Sequence, residues 1–350
     1  MLTLTLSFLT AITFGLAPAL RFSKTDLQET LKDSASTTTD GQGKKLRSAL
    51  VVSEVAVSVA LLVGAALLNF VGAFISLEVA ATVANDVVQI EPSSVGLLAV
   101  FGGLVGAIAW NLITWYFGLP SSSSHALIGG LVGAAIVSGS GVKWDVILEK
   151  IVIPMFLSPL VGLLIGYLVM CAIMWMFRRS NPHKAKRGFR IAQTVSAAGM
   201  ALGHGLQDAQ KTMGIVVMAL VIADVEDAGD PIPIWVKISC AVMLSLGTYA
   251  GGWRIMRTLG RKIIELDPPQ GFAAETTGAG IMFTTAFMFH APISTTHVIT
   301  SAIMGVGATK RVNAVRWGVA KNIILGWFIT MPAAALVAAL SFWIVNLAFL

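Results

Sequence analysis

The sequence predicts an all-α polytopic membrane protein with inverted-topology repeats, two re-entrant hairpins and a broken helix. Three observations lead there. First, 56% of the 350 residues are hydrophobic and only 12% are charged, where soluble domains carry roughly a quarter charged residues; mean hydropathy is +0.81. Second, the run Pro120-Ser121-Ser122-Ser123-Ser124-His125 returns as Pro292-Ile293-Ser294-Thr295-Thr296-His297, an offset of 172 that also sets Gly133 opposite Gly305 and Ala135 opposite Gly307. An internal repeat follows. Third, most Lys and Arg fall in short segments between apolar runs, where they constrain the sidedness of each crossing.

Residues 3–20 are about long enough to cross a bilayer, which needs around 20 apolar residues, although Pro18 weakens the end. The N-terminus has neither a basic stretch nor a cleavage site, so no removable signal peptide is expected. Residues 21–48 read as a polar loop, in which Gly41-Gln42-Gly43-Lys44 lacks the spacing of a phosphate-binding P-loop. Residues 49–84 are mostly apolar and would extend about 54 Å as one helix, well beyond a single hydrocarbon core. Two pieces join there, or one overruns. A first hairpin at 95–137 follows, then a span at 146–177 with Pro154 and Pro159 near its start. Residues 178–190 hold six Lys or Arg and no acid, the composition of a cytoplasmic loop.

Residues 191–223 are too long for a simple span and carry His204-Gly205-Leu206-Gln207-Asp208-Ala209-Gln210-Lys211 in their middle. Polar groups are expensive at membrane depth, so a helix broken around a site is expected here. Asp224, Glu226, Asp227 and Asp230 form an acidic loop on the outer face, and an apolar segment at 235–253 returns to a basic loop at 254–262. The second hairpin, 272–308, is followed by Lys310, Arg311 and Arg316, and a final apolar segment at 323–350 contains Pro332. If residues 272–308 crossed once, the basic loops on either side would lie on opposite faces, against the positive-inside bias. A hairpin that enters and leaves by the inner face satisfies it. The same count puts 85–94 and 138–150 outside, so the first hairpin enters from outside and the repeats are inverted, the arrangement of alternating-access secondary transporters.

Re-entrant backbone must be buried in protein or line a wet cavity, so the two tips should meet at a shared site. Ser122, Ser123, Ser124, Ser294, Thr295 and Thr296 offer six hydroxyl donors, and each tip starts a half-helix whose free N–H groups favour an anion. That set suits a tetrahedral oxyanion, phosphate or sulfate, held by many moderate charge-assisted hydrogen bonds of about 1.5–3 kcal/mol each. Asp208 is unfavourable beside an anion unless it holds a cation or a proton, which couples anion movement to a cation. Symport with sodium or a proton is therefore the expected mechanism. Gln207 and Gln210 can complete the coordination and Lys211 can offset charge. Ser and Thr in membrane helices often bond only the preceding turn; duplication at inverted positions weighs against that reading here. His125 and His297 read equally as ligands or proton carriers and as residues that orient the tips through backbone bonds. His290, His204 and His183 are weaker candidates. Asn85-Asp86 reads as a surface loop, and Glu54 and Glu78 have no visible partner.

Cys171 and Cys240 lie inside apolar runs with no metal-ligand or disulfide spacing. No metal or cofactor is expected beyond the coupling ion. The formal charge of +6 is accounted for by the loops, so nucleic acid is excluded as a partner and membrane lipid is expected, with a homo-oligomer left open. An intramembrane hydrolase built from Ser, His and Asp is disfavoured, since no Gly-x-Ser-x-Gly turn presents a nucleophile.

The segments 118–130 (Gly118-Leu119-Pro120 through Gly129-Gly130), 203–214 (Gly203-His204-Gly205 through Met213-Gly214) and Pro292 through His297 resemble the inorganic phosphate transporter (PiT) family, from about residue 69 to the C-terminus. The resemblance implies phosphate symport with protons or sodium at a multi-pass cell-membrane protein, with the hydroxyl tips and the helix around Asp208 forming the site. It carries over Ser122, Ser123, Ser124, Ser294, Thr295, Thr296, Gln210 and Lys211 as substrate ligands, and Asp208 with Gln207 as cation ligands. Gln207 stands where the family has Asn. A matching Asp motif in the first repeat, which equal loops would place near Ser36, is absent before Pro120, which would impair transport. Residues 1–68 instead resemble a permease segment of macrolide-exporter-type ABC transporters, an apparent chimera joined near Leu68-Asn69. The expected organisation is thus a permease-like segment at 1–68, the rest of the first repeat at 69–177, a basic cytoplasmic loop at 178–190 and a second repeat at 191–350. The alternative is a non-transporting anion-binding or accessory membrane protein.

Overall fold

The structure, a computed structural model, describes residues 60–349 apart from 86, 228 and 251. The readings of residues 1–59, the first span, the polar loop and most of the permease-like segment, lie outside the described residues. The fold is α-helical apart from one pair of two-residue strands. The overlong apolar run at its N-terminal side resolves into α1 (Ala60–Gly72) and α2 (Glu78–Asn85), separated by a turn. The exposed backbone N–H groups at the start of α2 are met from outside: Val79 N and Ala80 N donate to Gln210 Oε1 at 2.9 and 3.2 Å.

After β1 (Val88–Gln89), α3 (Ser94–Phe117) starts at an N-cap, Ser93, and stops at Gly118, whose φ of 65° only glycine adopts without strain. It is followed by α4 (Ser123–Ser138) and β2 (Gly141–Val142). β1 and β2 pair antiparallel, Val88 with Val142, so the beginning of α3 and the end of α4 lie at one face. The long helix α5 (Trp144–Met176) passes through a π turn at Leu148–Val152 ahead of Pro154. α6 (Pro182–Ile222), α7 (Ile234–Ala250) and a short α8 (Trp253–Arg257) come next. Then α9 (Pro268–Thr284) runs through a π turn to Phe289, and α10 (Thr295–Ala308) and α11 (Trp317–Phe349) complete the chain. The two ends of the α9–α10 pair also meet at one face: Lys310 Nζ bonds Asp267 Oδ2 at 2.9 Å and Arg316 N donates to Ile263 O at 3.0 Å.

Two expectations need correction. The helix at 191–223 is not broken: α6 is continuous over 41 residues, about 60 Å. No proline follows Pro182 in it, Asn181 caps its first turn by accepting from His183 N and Lys184 N, and Gln207, Gln210 and Lys211 each reach a partner on a neighbouring element without opening the backbone. The break falls instead between α1 and α2. The same helix takes up residues 182–190, so the basic segment at 178–190 is only in part a loop. α3, α5 and α11 are each long and apolar enough to cross a membrane.

Packing repeats at the offset of the sequence. α4 lies on α11 where Gly133 meets the Ala335 carbonyl, and α10 lies on α5 where Gly305 meets the Leu163 carbonyl; both residues of each contact are related by 172 positions. Small residues let helix backbones approach where lipid gives no hydrophobic drive for association. Two residue pairs touch their own repeat mates: Phe156 and Phe328 rings lie 5.5 Å apart, and His125 and His297 rings 4.7 Å. Gly118 and His290, again 172 apart, both hold positive φ, 65° and 51°, and their carbonyls accept Thr258 Oγ1 at 2.9 Å and Thr82 Oγ1 at 3.1 Å respectively.

A Cβ at Gly133 or Gly305 would strike backbone, whereas one at Gly318 meets nothing within 4 Å. Gly133→Ala and Gly305→Ala should each cost about 1–3 kcal/mol through overpacking, read as a lower melting temperature of the detergent-purified protein. Gly318→Ala should melt with the wild type.

Candidate functional site

Each tip is set by the same local device. Pro120 and Pro292 keep the preceding residue extended, and Ser122 and Ser294 then act as N-caps of α4 and α10 with near-identical backbone, φ −93° and −87°. Their Oγ atoms accept from His125 N and His297 N, both at 3.2 Å. These two hydroxyl oxygens are turned onto their own helices. Ser123 is exposed and Thr296 half-buried, while Ser124 and Thr295 are buried. His125 and His297 face each other, and His297 stacks on Trp327 at 4.0 Å, whose Nε1 donates to Pro120 O at 3.2 Å. Nδ1 of His125 and both ring nitrogens of His297 have no hydrogen bond of good geometry among the described residues, the Met155 backbone offering His297 only a weak contact. Ring packing between the tips thus holds the pair in place.

α6 brings its polar residues to the same place. Lys211 Nζ donates to Asp208 Oδ1 at 2.9 Å, to Ser124 Oγ at 2.6 Å and to Ile293 O at 2.6 Å. Its three N–H groups therefore have three acceptors: a carboxylate on α6, a hydroxyl on α4 and a backbone carbonyl just ahead of α10. Ser124 Oγ donates in turn to Ile293 O at 3.2 Å, tying the tips directly. The other oxygen of Asp208 lies 3.1 Å from His204 Nε2, with Thr295 Oγ1 at 3.5 Å, too long for more than a weak bond. His204 Nδ1 pairs with Asn69 Oδ1 at 3.0 Å, and Asn69 Nδ2 donates to Thr248 Oγ1 at 2.9 Å. A polar chain thus runs from α7 through α1 and α6 to both tips.

The two glutamines stand apart from this cluster. Gln207 Nε2 donates to Met282 O at 3.3 Å and Thr285 Oγ1 at 3.2 Å, facing α9, with its Oε1 buried and unpaired. Gln210 caps α2, as above, and its Nε2 is buried and unpaired. So of the residues singled out from sequence, Ser124, Thr295, Asp208 and Lys211 come together; Ser123 and Thr296 stand on the adjoining first turns; Ser122 and Ser294 shape the tips; Gln207 and Gln210 brace neighbouring helices. Sequence reasoning ranked His204 low and passed over Asn69 and Thr248. A single Asn inside an apolar run was the available signal. Glu78, which lacked a visible partner, pairs with His290 Nδ1 at 3.3 Å at the surface. Glu275 on α9, also passed over, accepts from Ser196 Oγ at 2.6 Å, some 18 Å along α6 from Asp208.

Chemically, the cluster gathers hydroxyls, two helix N-termini, one ammonium and one carboxylate. The profile of the "Phosphate transporter family" matches residues 48–188 and 178–338. The chain belongs to the phosphate transporter family. It is 43% identical over 287 residues to a Bacillus subtilis (strain 168) protein named "Probable low-affinity inorganic phosphate transporter", covering 81% of this chain and 86% of that one. A Rhizobium meliloti (strain 1021) protein of the same name is 46% identical, over 81% of this chain and 84% of its own. A solved structure described as "The sodium-dependent phosphate transporter" superposes with a TM-score of 0.74 at 24% identity, over 82% of this chain and 89% of that one, and so shares the fold. As a member of this family the protein is a membrane protein and a transporter rather than an enzyme. The family match takes in residues 48–68, ahead of the junction expected near Asn69, and nothing in these comparisons supports a permease origin for that segment.

Asp208 and Lys211 are both largely buried, at 11% and 4% side-chain exposure. Removing one partner of such a pair leaves an uncompensated charge and costs about 3–5 kcal/mol. Asp208→Asn should therefore lower the melting temperature more than the double change Asp208→Asn with Lys211→Met, and a thermal double-mutant cycle should give a favourable coupling for the pair.

Proposed function

We propose that this protein is a secondary active transporter of inorganic phosphate, coupled to a cation, proton or sodium, and working by alternating access in the cell membrane. The observation that carries the reading is the convergence of both hydroxyl tips on one carboxylate–ammonium pair, through Lys211 to Ser124 and Ile293. The family's relatives carry phosphate in their names, which supports phosphate over sulfate. In this reading α3–α4 and α9–α10 are re-entrant hairpins of two inverted repeats. Residues that touch their own repeat mates, His125 with His297 and Phe156 with Phe328, are what a two-fold axis between repeats requires. The closure of each hairpin at one face, by β1–β2 and by Asp267–Lys310, agrees with entry and exit on the same side.

The anion is held by the hydroxyls of Ser123, Thr295 and Thr296 and the first-turn N–H groups of α4 and α10, with the Lys211 ammonium as counter-charge. Asp208 is the acidic residue through which a cation is coupled, and His204 faces its second oxygen. The exposed apolar faces of α5 and α11, with Leu160, Leu164 and Leu168 on one and Leu336 and Leu340 on the other, lie against lipid or a second copy.

Radiolabelled phosphate uptake into proteoliposomes tests this. Wild-type vesicles should accumulate phosphate, and Asp208→Asn should reduce the rate at least tenfold. Uptake unchanged by that substitution would remove the coupling role, and phosphate binding without uptake would make the protein an anion-binding one instead.

A further inference from the structure

The acceptors around Lys211 Nζ are all oxygens of three kinds: a carboxylate, a hydroxyl and a main-chain carbonyl. Such sets are what hard metal cations take in proteins, particularly where the backbone carbonyl comes from a non-helical stretch at a half-helix end. Here Ile293 supplies that carbonyl, immediately before the Ser294 cap of α10. The ammonium has no unused donor, and the Lys211 side chain is almost fully buried. Both Asp208 oxygens already face a partner, Oδ1 the Lys211 ammonium and Oδ2 the His204 ring. A metal cation entering this cage must displace the ammonium or share the carboxylate with it at close range, where two positive charges repel.

We propose that Lys211 is a resident, covalently held counter-ion: its ammonium occupies the seat that a sodium ion would take beside Asp208, so that phosphate binds to this chain without sodium. The proposal rests on the phosphate-site reading above and narrows it. Lys211 sits three residues after Asp208 on the same helix, so its stem returns over one turn to the carboxylate and reaches both tips from there. The tethered cation then performs two tasks, balancing Asp208 and holding Ser124 against the Ile293 carbonyl, and the site is assembled before any ion arrives. An anion drawing the ammonium toward itself loosens the bond between the tips, which links occupancy to their separation.

The experiment compares sodium chloride with choline chloride on the purified full chain, wild type and Lys211→Ala, by thermal melting without phosphate and by equilibrium binding of radiolabelled inorganic phosphate. The wild type should melt alike in both salts and bind phosphate equally in both. In Lys211→Ala the emptied cage should accept sodium, giving a sodium-specific rise in melting temperature of several degrees; phosphate binding should fall at least tenfold in choline and recover in part in sodium. A sodium-specific rise in the wild type, wild-type phosphate binding that requires sodium, or full phosphate binding by Lys211→Ala in choline would each overturn the proposal. Should Lys211→Ala fail to fold, the wild-type comparison decides alone. The melting arm contains no phosphate, so wild-type protein that binds no phosphate in either salt would sink the transport reading while leaving the cage result standing.

Discussion

One buried ammonium holds the centre of this molecule together. Lys211 reaches from α6 to the first hairpin through Ser124 and to the second through Ile293, and it neutralises Asp208 on its own helix. A lone carboxylate or ammonium at that depth would carry a desolvation cost of several kcal/mol. Paired, and with every N–H satisfied, the two charges become a scaffold that tells each tip where to sit. Everything around them follows that requirement. α6 must stay helical through its polar stretch so that Asp208 and Lys211 share a face, and Asn69 with Thr248 must keep His204 turned toward the second carboxylate oxygen.

The second constraint is close approach. Gly133 and Gly305 bring α4 and α10 onto the carbonyls of Ala335 and Leu163. The histidine pair then fills the space between the tips, braced by Trp327. The repeat is therefore expressed as backbone contact, through glycine, as much as through the hydroxyl motifs.

Much of this was legible in the sequence. Apolar content and charge placement announced membrane helices, and the two Pro-x-Ser/Thr motifs at one offset announced a pair of helix starts that meet. Ser122 and Ser294 also cap their helices, which sequence alone does not record, because the acceptor role of each Oγ depends on the N–H of His125 or His297 placed above it. The polar stretch 204–211 looked like a helix break because a polar run in an apolar segment has two remedies, opening the backbone or partnering every side chain. Local sequence records neither Ile293 O, Met282 O nor the N-terminus of α2, which supply the partners here. The break between α1 and α2 falls inside a mostly apolar stretch and could not be placed from sequence, because N–H groups at the start of α2 are capped by a glutamine 130 positions away.

The central claim is that both tips line a single anion site. It is tested most directly by phosphate protection of two single-cysteine variants, Ser123→Cys and Thr296→Cys, each made with Cys171 and Cys240 replaced by alanine and labelled with a small water-soluble thiol reagent. The account expects phosphate to slow labelling at both positions with the same half-maximal concentration. Protection at one tip alone, at neither, or at clearly different concentrations would contradict it.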